Sequence, residues 1–180
     1  MNNSVLVYDN FLEKEEFEKI KNYFMDLSFP WYYGPTVLAH DEYSIKGKNE
    51  NLNFQFNHAI HFEEISQSEA FFVIRPLLKK MNIFTILKIK ANLNPCSGSE
   101  IYEHGTHQDI YPPSHIKAKT AVFYINTNNG YTLIKDTGKK IHSVENRLVT
   151  FDSHIHHTGS TCTDEKARIV LNINYIPMEL

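Results

Sequence analysis

Cysteine is scarce. Cys96 and Cys162 are the only two in 180 residues, too few for a disulfide framework, and they fit a reducing compartment as inert thiols. The opening MNNSVLVYDNF lacks a basic stretch followed by an apolar run, so no signal peptide is read. No apolar run approaches the ~20 residues needed to cross a bilayer. The expected location is therefore the cytoplasm, with no membrane partner. Charge of one sign is missing too. Eighteen Lys and Arg stand against 21 Asp and Glu, a net −3, which gives no whole-molecule reason to bind nucleic acid. Repeats, low-complexity tracts and linkers are absent, and the length fits a single domain over 1–180.

What the chain has instead is aromatics and histidine. Twelve Phe and ten Tyr suit sheets and deep pockets. The ten His cluster after position 100, a first hint of a metal.

The pattern divides at about residue 84. In the N-terminal part, 1–83, Ser4–Tyr8 reads as a short strand. Glu13–Met25 reads as a helix, with Phe17, Ile20, Phe24 and Met25 at helical spacing and acidic residues in its first turn. From Ser28 to Asn57 the chain is irregular and aromatic, with room for two strands. Ser66–Met81 reads as a second helix, with Pro76 as a kink or boundary. Over 84–176 short apolar runs follow one another: Phe84–Asn94, Glu100–His107, Lys119–Asn126, Tyr131–Lys135, Asn146–Phe151, Ile155–Gly159 and Ala167–Ile176. Asn129-Gly130 reads as a type I′ hairpin turn, and Asp136-Thr137-Gly138 as another turn. About eight short strands at this spacing predict a mainly β (α+β) fold, a double-stranded β-helix or jelly roll supported by two N-terminal helices.

His107-Gln108-Asp109 carries the chemistry. Residues two apart on a strand point to one side, so an imidazole and a carboxylate can reach one cation. His157 offers a third donor. Two His and one carboxylate leave open positions on a metal and point to non-haem Fe(II) in an oxygenase. An H-x-D alone is weak, and a single histidine is more often a surface or turn residue. The weight comes from later strands. In RIVLNINY, period two places Arg168, Val170, Asn172 and Asn174 on one face and Ile169, Leu171, Ile173 and Tyr175 on the other. The apolar face can pack on helices, which turns Arg168 inward. A buried arginine needs an anion, and a dicarboxylate cosubstrate offers one that its fork fits. The alternative is a strand-end arginine paired with Asp164 or Glu165. Tyr124, on the face of Thr120, Val122 and Asn126, can reach the same carboxylate or serve as a core tyrosine.

These residues resemble the 2-oxoglutarate/Fe(II) dioxygenases of the prolyl 4-hydroxylase-like group. The matching pieces are HQD at 107–109, AVFYIN at 121–126, NRLVTFDSHIHHTG at 146–159 and ARIVLNINY at 167–175. The opening VLVYDNFLEKEEFEKI is similar as well. The resemblance implies Fe(II) on His107, Asp109 and His157. It implies 2-oxoglutarate with its C5 carboxylate on Arg168 and Tyr124, and O2 as the oxidant. The implied reaction hydroxylates a substrate C–H bond and yields succinate and CO2. His157 is preferred over His154 and His156 because it stands six residues after Phe151 and precedes Thr158-Gly159. The chain departs from the group where Asn94-Pro95 replaces a Tyr-Pro and where His104 replaces a tyrosine three residues before the H-x-D. Asn92 and Asn94 are the candidates for the inner end of the cosubstrate. Trp31, Tyr32 and Tyr102 are candidates for substrate contact, with a small molecule or a peptide or protein side chain as the expected partner. Substrate choice is expected to rest on Ser28–His61 and on the loop from Ile110 to Ile116. Two other readings stay open: a cupin-like metal enzyme without 2-oxoglutarate, and a non-catalytic jelly-roll binding module. His58 and His61 read as structural, and Lys46–Lys48 and Lys88–Lys90 as solvated charged faces.

Overall fold

A computed structural model of the chain describes residues 5–37, 50–63, 65–110 and 117–178. Its framework is two antiparallel sheets. The larger has the order β1-β9-β6-β11-β5-β3-β2, with β4 paired to β3, and the smaller has the order β10-β7-β8. The strands are β1 (Leu6–Tyr8), β2 (Tyr32–Gly34), β3 (Gln55–Phe62), β4 (Ile65–Ser66), β5 (Ile83–Pro95), β6 (Lys119–Tyr124), β7 (Tyr131–Ile134), β8 (Lys139–His142), β9 (Leu148–Asp152), β10 (His157–Gly159) and β11 (Ala167–Pro177). This is the expected jelly roll. The segment before residue 84 does more than support it, because β1, β2, β3 and β4 all join the large sheet.

The first helix, α1 (Lys14–Met25), buries Phe17, Ile20 and Phe24 at spacings of three and four, so that one stripe faces the sheet. Met25, one residue past Phe24, is turned away and half exposed. The expected second helix is broken. It appears as α2 (Ala70–Val73) and α3 (Arg75–Lys80), parted at Ile74. Pro76 falls in the first turn of α3, where its missing N–H leaves no helical bond unmade. Ser66 belongs to β4 rather than to a helix. Among the described residues, no helix is long and apolar enough to cross a membrane.

Two apolar layers result. Ile169, Leu171, Ile173 and Tyr175 of β11 pack with Ile89 and Ala91 of β5 against the helices' Phe17, Ile20, Phe24, Leu77 and Leu78. Between the sheets lie Val122, Tyr124, Ile134, Val149, Phe151 and Val170. Each fully buried Leu, Ile or Phe contributes roughly 1.5–3 kcal/mol. The helix side therefore carries most of the apolar stabilisation, and the smaller cluster between the sheets shares its space with buried polar groups.

Asn129-Gly130 is not a hairpin turn. Neither residue has positive φ, and the segment carries the chain from β6 in the large sheet to β7 in the small one. The glycine is needed for close approach. A Cβ there would come within 2.7 Å of both the Arg168 Cδ and the Thr161 carbonyl oxygen. The turn at Asp136–Gly138 does form the β7–β8 hairpin, with Gly138 at φ 68°. The predicted strand Glu100–His107 is reduced to two isolated bridges, Glu103 with Ser160 and His107 with His157.

Candidate active site

The bridge between His107 and His157 brings two distant histidines side by side. Each backbone N–H donates to the other's carbonyl at 3.0 Å. Their rings lie 4.5 Å apart, and Asp109 is turned between them. The Asp109 Oδ1 is 3.8 Å from the His107 Nε2, and its Oδ2 is 3.4 Å from the His157 Nε2. One donor atom from each of the three residues lies within 4.8 Å of the others. Among the described residues this is the only such group of histidine, cysteine or acidic side chains.

The hydrogen-bond partners of the two rings fix what the group can hold. The His157 Nδ1 lies 3.0 Å from the Ile155 carbonyl oxygen, and the His107 Nδ1 lies 3.3 Å from that of Gly105. A carbonyl oxygen only accepts, so each Nδ1 bears the proton and each Nε2 presents a lone pair toward Asp109. Two lone pairs and a carboxylate facing one another repel unless a positive charge lies between them. The residues therefore fit a divalent metal. The electrostatic balance at the three residues points the same way. Burial opposes the charge on Asp109, but the hydrogen bond and charge of His157, then His107 and Thr120, outweigh it and hold the carboxyl well below its ordinary range. Burial and the charge of His157 lower His107 to about 4. On His157, burial opposes the charge but Asp109 outweighs it and raises the pKa.

A second layer holds Asp109. The Asn172 amide donates to both of its oxygens, at 3.4 and 3.2 Å. The Thr120 hydroxyl donates to Oδ2 at 2.9 Å, and the Asn174 amide donates to Thr120 at 3.1 Å. Such partners orient ligands and are worth roughly 10–100-fold in metal affinity.

Farther along β11, Arg168 is 3% exposed. Its Nε donates to the Ser143 hydroxyl at 2.8 Å, and its Nη2 donates to the Thr132 hydroxyl at 3.0 Å. Among the described residues no carboxylate is in ion-pair reach of it. Asp164, one of the two partners in the alternative strand-end reading, instead accepts from the Asn129 backbone. Burial lowers the Arg168 pKa, yet a guanidinium stays charged. The Tyr124 ring lies 5.5 Å beneath the guanidinium, and its hydroxyl is spent on Thr132 at 2.8 Å. Thr132 thus accepts from both Arg168 and Tyr124, which leaves its own O–H as a donor facing the cavity. Thr132 and Ser143 were not foreseen from sequence. A hydroxyl on a strand carries no signal of its own until the strand across the barrel is known.

His107, Asp109, His157 and Arg168 line one cavity with Asn92, Asn94, His104 and Thr132. Asn94 donates its amide to the His104 Nε2 at 2.9 Å. Burial and the nearby Arg168 lower His104 to about 3, so the ring is neutral and Nδ1–H remains as a buried donor with no partner. The Asn92 Oδ1 is likewise buried and unpaired. Trp31, Tyr32 and Tyr102 are not on this wall. Trp31 packs on Phe29 at 4.7 Å, Tyr32 is exposed and stacks on His58, and Tyr102 lies edge-on to His104 at 5.4 Å. His58 and His61 are in β3, packed against Phe29 and Phe71 respectively. Lys88 and Lys90 are not on a solvated face. Both line the cavity, because the alternation that turns Asn92 and Asn94 inward turns them inward too. The other expected cluster, Lys46–Lys48, and nearly all of the Ile110–Ile116 loop lie outside the described residues.

Fold and donor set together define a double-stranded β-helix with a two-histidine, one-carboxylate site. No family model and no curated protein matches the chain. Solved structures do. A Trichoplax adhaerens prolyl hydroxylase, in complex with a peptide fragment of the hypoxia inducible factor oxygen degradation domain, is 17% identical, with a TM-score of 0.67 over 97% of this chain and 84% of that one. A viral collagen prolyl hydroxylase from Paramecium bursaria Chlorella virus 1, in complex with 2-oxoglutarate, is 13% identical, with a TM-score of 0.57 over 99% and 98%. A 2OG-Fe(II) oxygenase family oxidoreductase from Burkholderia pseudomallei is 10% identical, with a TM-score of 0.64 over 96% and 85%. The chain has the fold of the prolyl hydroxylase-like oxygenases, as its sequence motifs imply.

Proposed function

We propose that the chain is an Fe(II)- and 2-oxoglutarate-dependent dioxygenase that hydroxylates a C–H bond of an amino-acid side chain or small molecule, with succinate and CO2 as the other products. The observation that carries this reading is the pairing of two sites in one cavity: three mutually facing acceptors, and a buried arginine with no carboxylate partner among the described residues. A metal enzyme without 2-oxoglutarate has no use for the second, and a binding module has no use for the first.

His107, Asp109 and His157 hold the metal, which when bound supplies the dioxygen chemistry that side chains cannot. Asn172 and Thr120 fix the rotation of Asp109, so the ligands need not reorganise. Arg168 offers its guanidinium to the distal carboxylate of 2-oxoglutarate, with the Thr132 hydroxyl as an added donor and Tyr124 as the platform beneath. The His104 Nδ1–H is the free donor for its inner end, and the Asn92 amide is a further candidate there. The apolar wall of Val122 and Val170 keeps water from the reacting centre. The viral neighbour holds 2-oxoglutarate and the Trichoplax neighbour a peptide, which supports both halves of the reading.

The test is anaerobic titration with Fe(II) and then 2-oxoglutarate, watching for a weak visible charge-transfer band. The band is expected only with both present, and not in His157→Ala. No band, together with no binding of either component by calorimetry, would overturn the assignment.

A further inference from the structure

We infer that Lys88 and Lys90 form a carboxylate-binding subsite beside the metal ligands, and that the molecule hydroxylated here is an acid. The inference rests on the oxygenase reading and adds the chemical class of its substrate.

The two lysines share the inward face of β5 and line the cavity. They stand about 7 Å apart along the strand, by two residues of strand rise. Among the described residues neither is in ion-pair reach of a carboxylate. Burial and the charge of Lys88 bring Lys90 down to about 8, with Asp109 partly offsetting them. Two partly desolvated like charges on one wall cost stability unless an anion joins them. Lysine is otherwise easily kept in water by its long stem.

The anion is not 2-oxoglutarate. Register pairs Arg168 with Asn94, Val170 with Asn92, Asn172 with Lys90 and Asn174 with Lys88. Arg168 is therefore four residues, about 13 Å of strand, from the level of Lys90. Asn172, which holds Asp109, lies at the Lys90 level. The cosubstrate occupies the stretch from Arg168 to the metal ligands, and the lysines begin where that stretch ends. The Asn172 amide nitrogen is committed to Asp109, so its orientation is set and its Oδ1 is left buried and unpaired. That oxygen is an acceptor for an N–H or O–H on the same acid.

The experiment is calorimetry on the protein loaded with redox-inert Mn(II) and saturating 2-oxoglutarate. The probes are N-acetyl-aspartate amide, its neutral asparagine analogue and inorganic phosphate. The proteins are wild type and Lys88→Met/Lys90→Met. We expect the acidic probe to bind wild type, and to bind the double variant at least tenfold more weakly. The neutral analogue should not distinguish the two proteins, and 2-oxoglutarate affinity should stay within twofold. Equal binding of the acidic and neutral probes to wild type would overturn the inference, as would an acidic-probe affinity that the double variant leaves unchanged. Phosphate binding tighter than the acidic probe would overturn the carboxylate assignment in favour of a phosphorylated substrate. If wild type fails to bind 2-oxoglutarate at all, the oxygenase reading itself falls, and the substrate inference with it.

Discussion

The two faces of β11 are built from alternating residues of one strand and obey opposite rules. Outward, Ile169, Leu171, Ile173 and Tyr175 are closely packed against the helices. Inward, Arg168 and Asn174 are as deeply placed and Asn172 is partly buried, yet Asn172 and Asn174 keep unpaired acceptors and Arg168 has no counter-ion among the described residues. The outer face holds the fold. The inner face gives up stability to keep polar groups unpaired at the cavity wall.

The contrast predicts different losses on the two sides. Leu171→Ala should cost about 2–5 kcal/mol in a denaturant titration, with residual folded protein still binding Fe(II). A loss below about 1 kcal/mol would mean that the outer layer is not the main core. Arg168→Met should do the reverse. Stability is expected to hold or rise, since an apolar residue of similar size replaces a desolvated charge, while 2-oxoglutarate binding falls by roughly 2–5 kcal/mol. Calorimetry and thermal unfolding on the same sample separate the two. Asn172→Ala should weaken Fe(II) binding about 10–100-fold without altering the affinity for 2-oxoglutarate by more than about twofold.

The smallest effect is expected at Glu103, beside the small sheet. It accepts from the Tyr131 hydroxyl at 2.6 Å and pairs with Lys135 at 3.4 Å. Burial raises its pKa, but Tyr131 and the two lysines outweigh burial and depress it below 4.5. A depressed folded value means that the stabilisation is present above the unfolded pKa and is lost as pH falls through the folded one. Glu103→Gln should therefore cost about 1 kcal/mol or less at pH 7, and its difference from wild type should close as pH is lowered through that range. A gap that persists in acid would assign the effect to packing.

Much of this was legible from short-range pattern. Period two in RIVLNINY separated the two faces of β11 correctly, and H-x-D placed an imidazole and a carboxylate together. The helix of Lys14–Met25 followed from spacing and acidic residues in its first turn. The misreadings share a cause. Asn129-Gly130 has a hairpin's composition, but the strand it leads into pairs in the other sheet. Lys88 and Lys90 carry charge, which alone reads as solvent, although the alternation that turned Asn92 and Asn94 inward applies to them as well. Tyr124 was placed on the right face, but its hydroxyl is taken by Thr132, a residue of β7 that only the sandwich of the two sheets brings opposite.

Local chain geometry thus settles which residues share a face, because side-chain direction repeats every two residues in a strand and every 3.6 in a helix. That was enough to name His107, Asp109 and Arg168 as inward groups. Which of three nearby histidines meets His107 and Asp109, which hydroxyls hold the arginine and which charges meet inside the barrel depend on pairing between strands far apart in the chain. Those pairings arise only when both sheets close over a common interior, so His157, Thr132 and the lysine pair reach one cavity in the folded molecule alone.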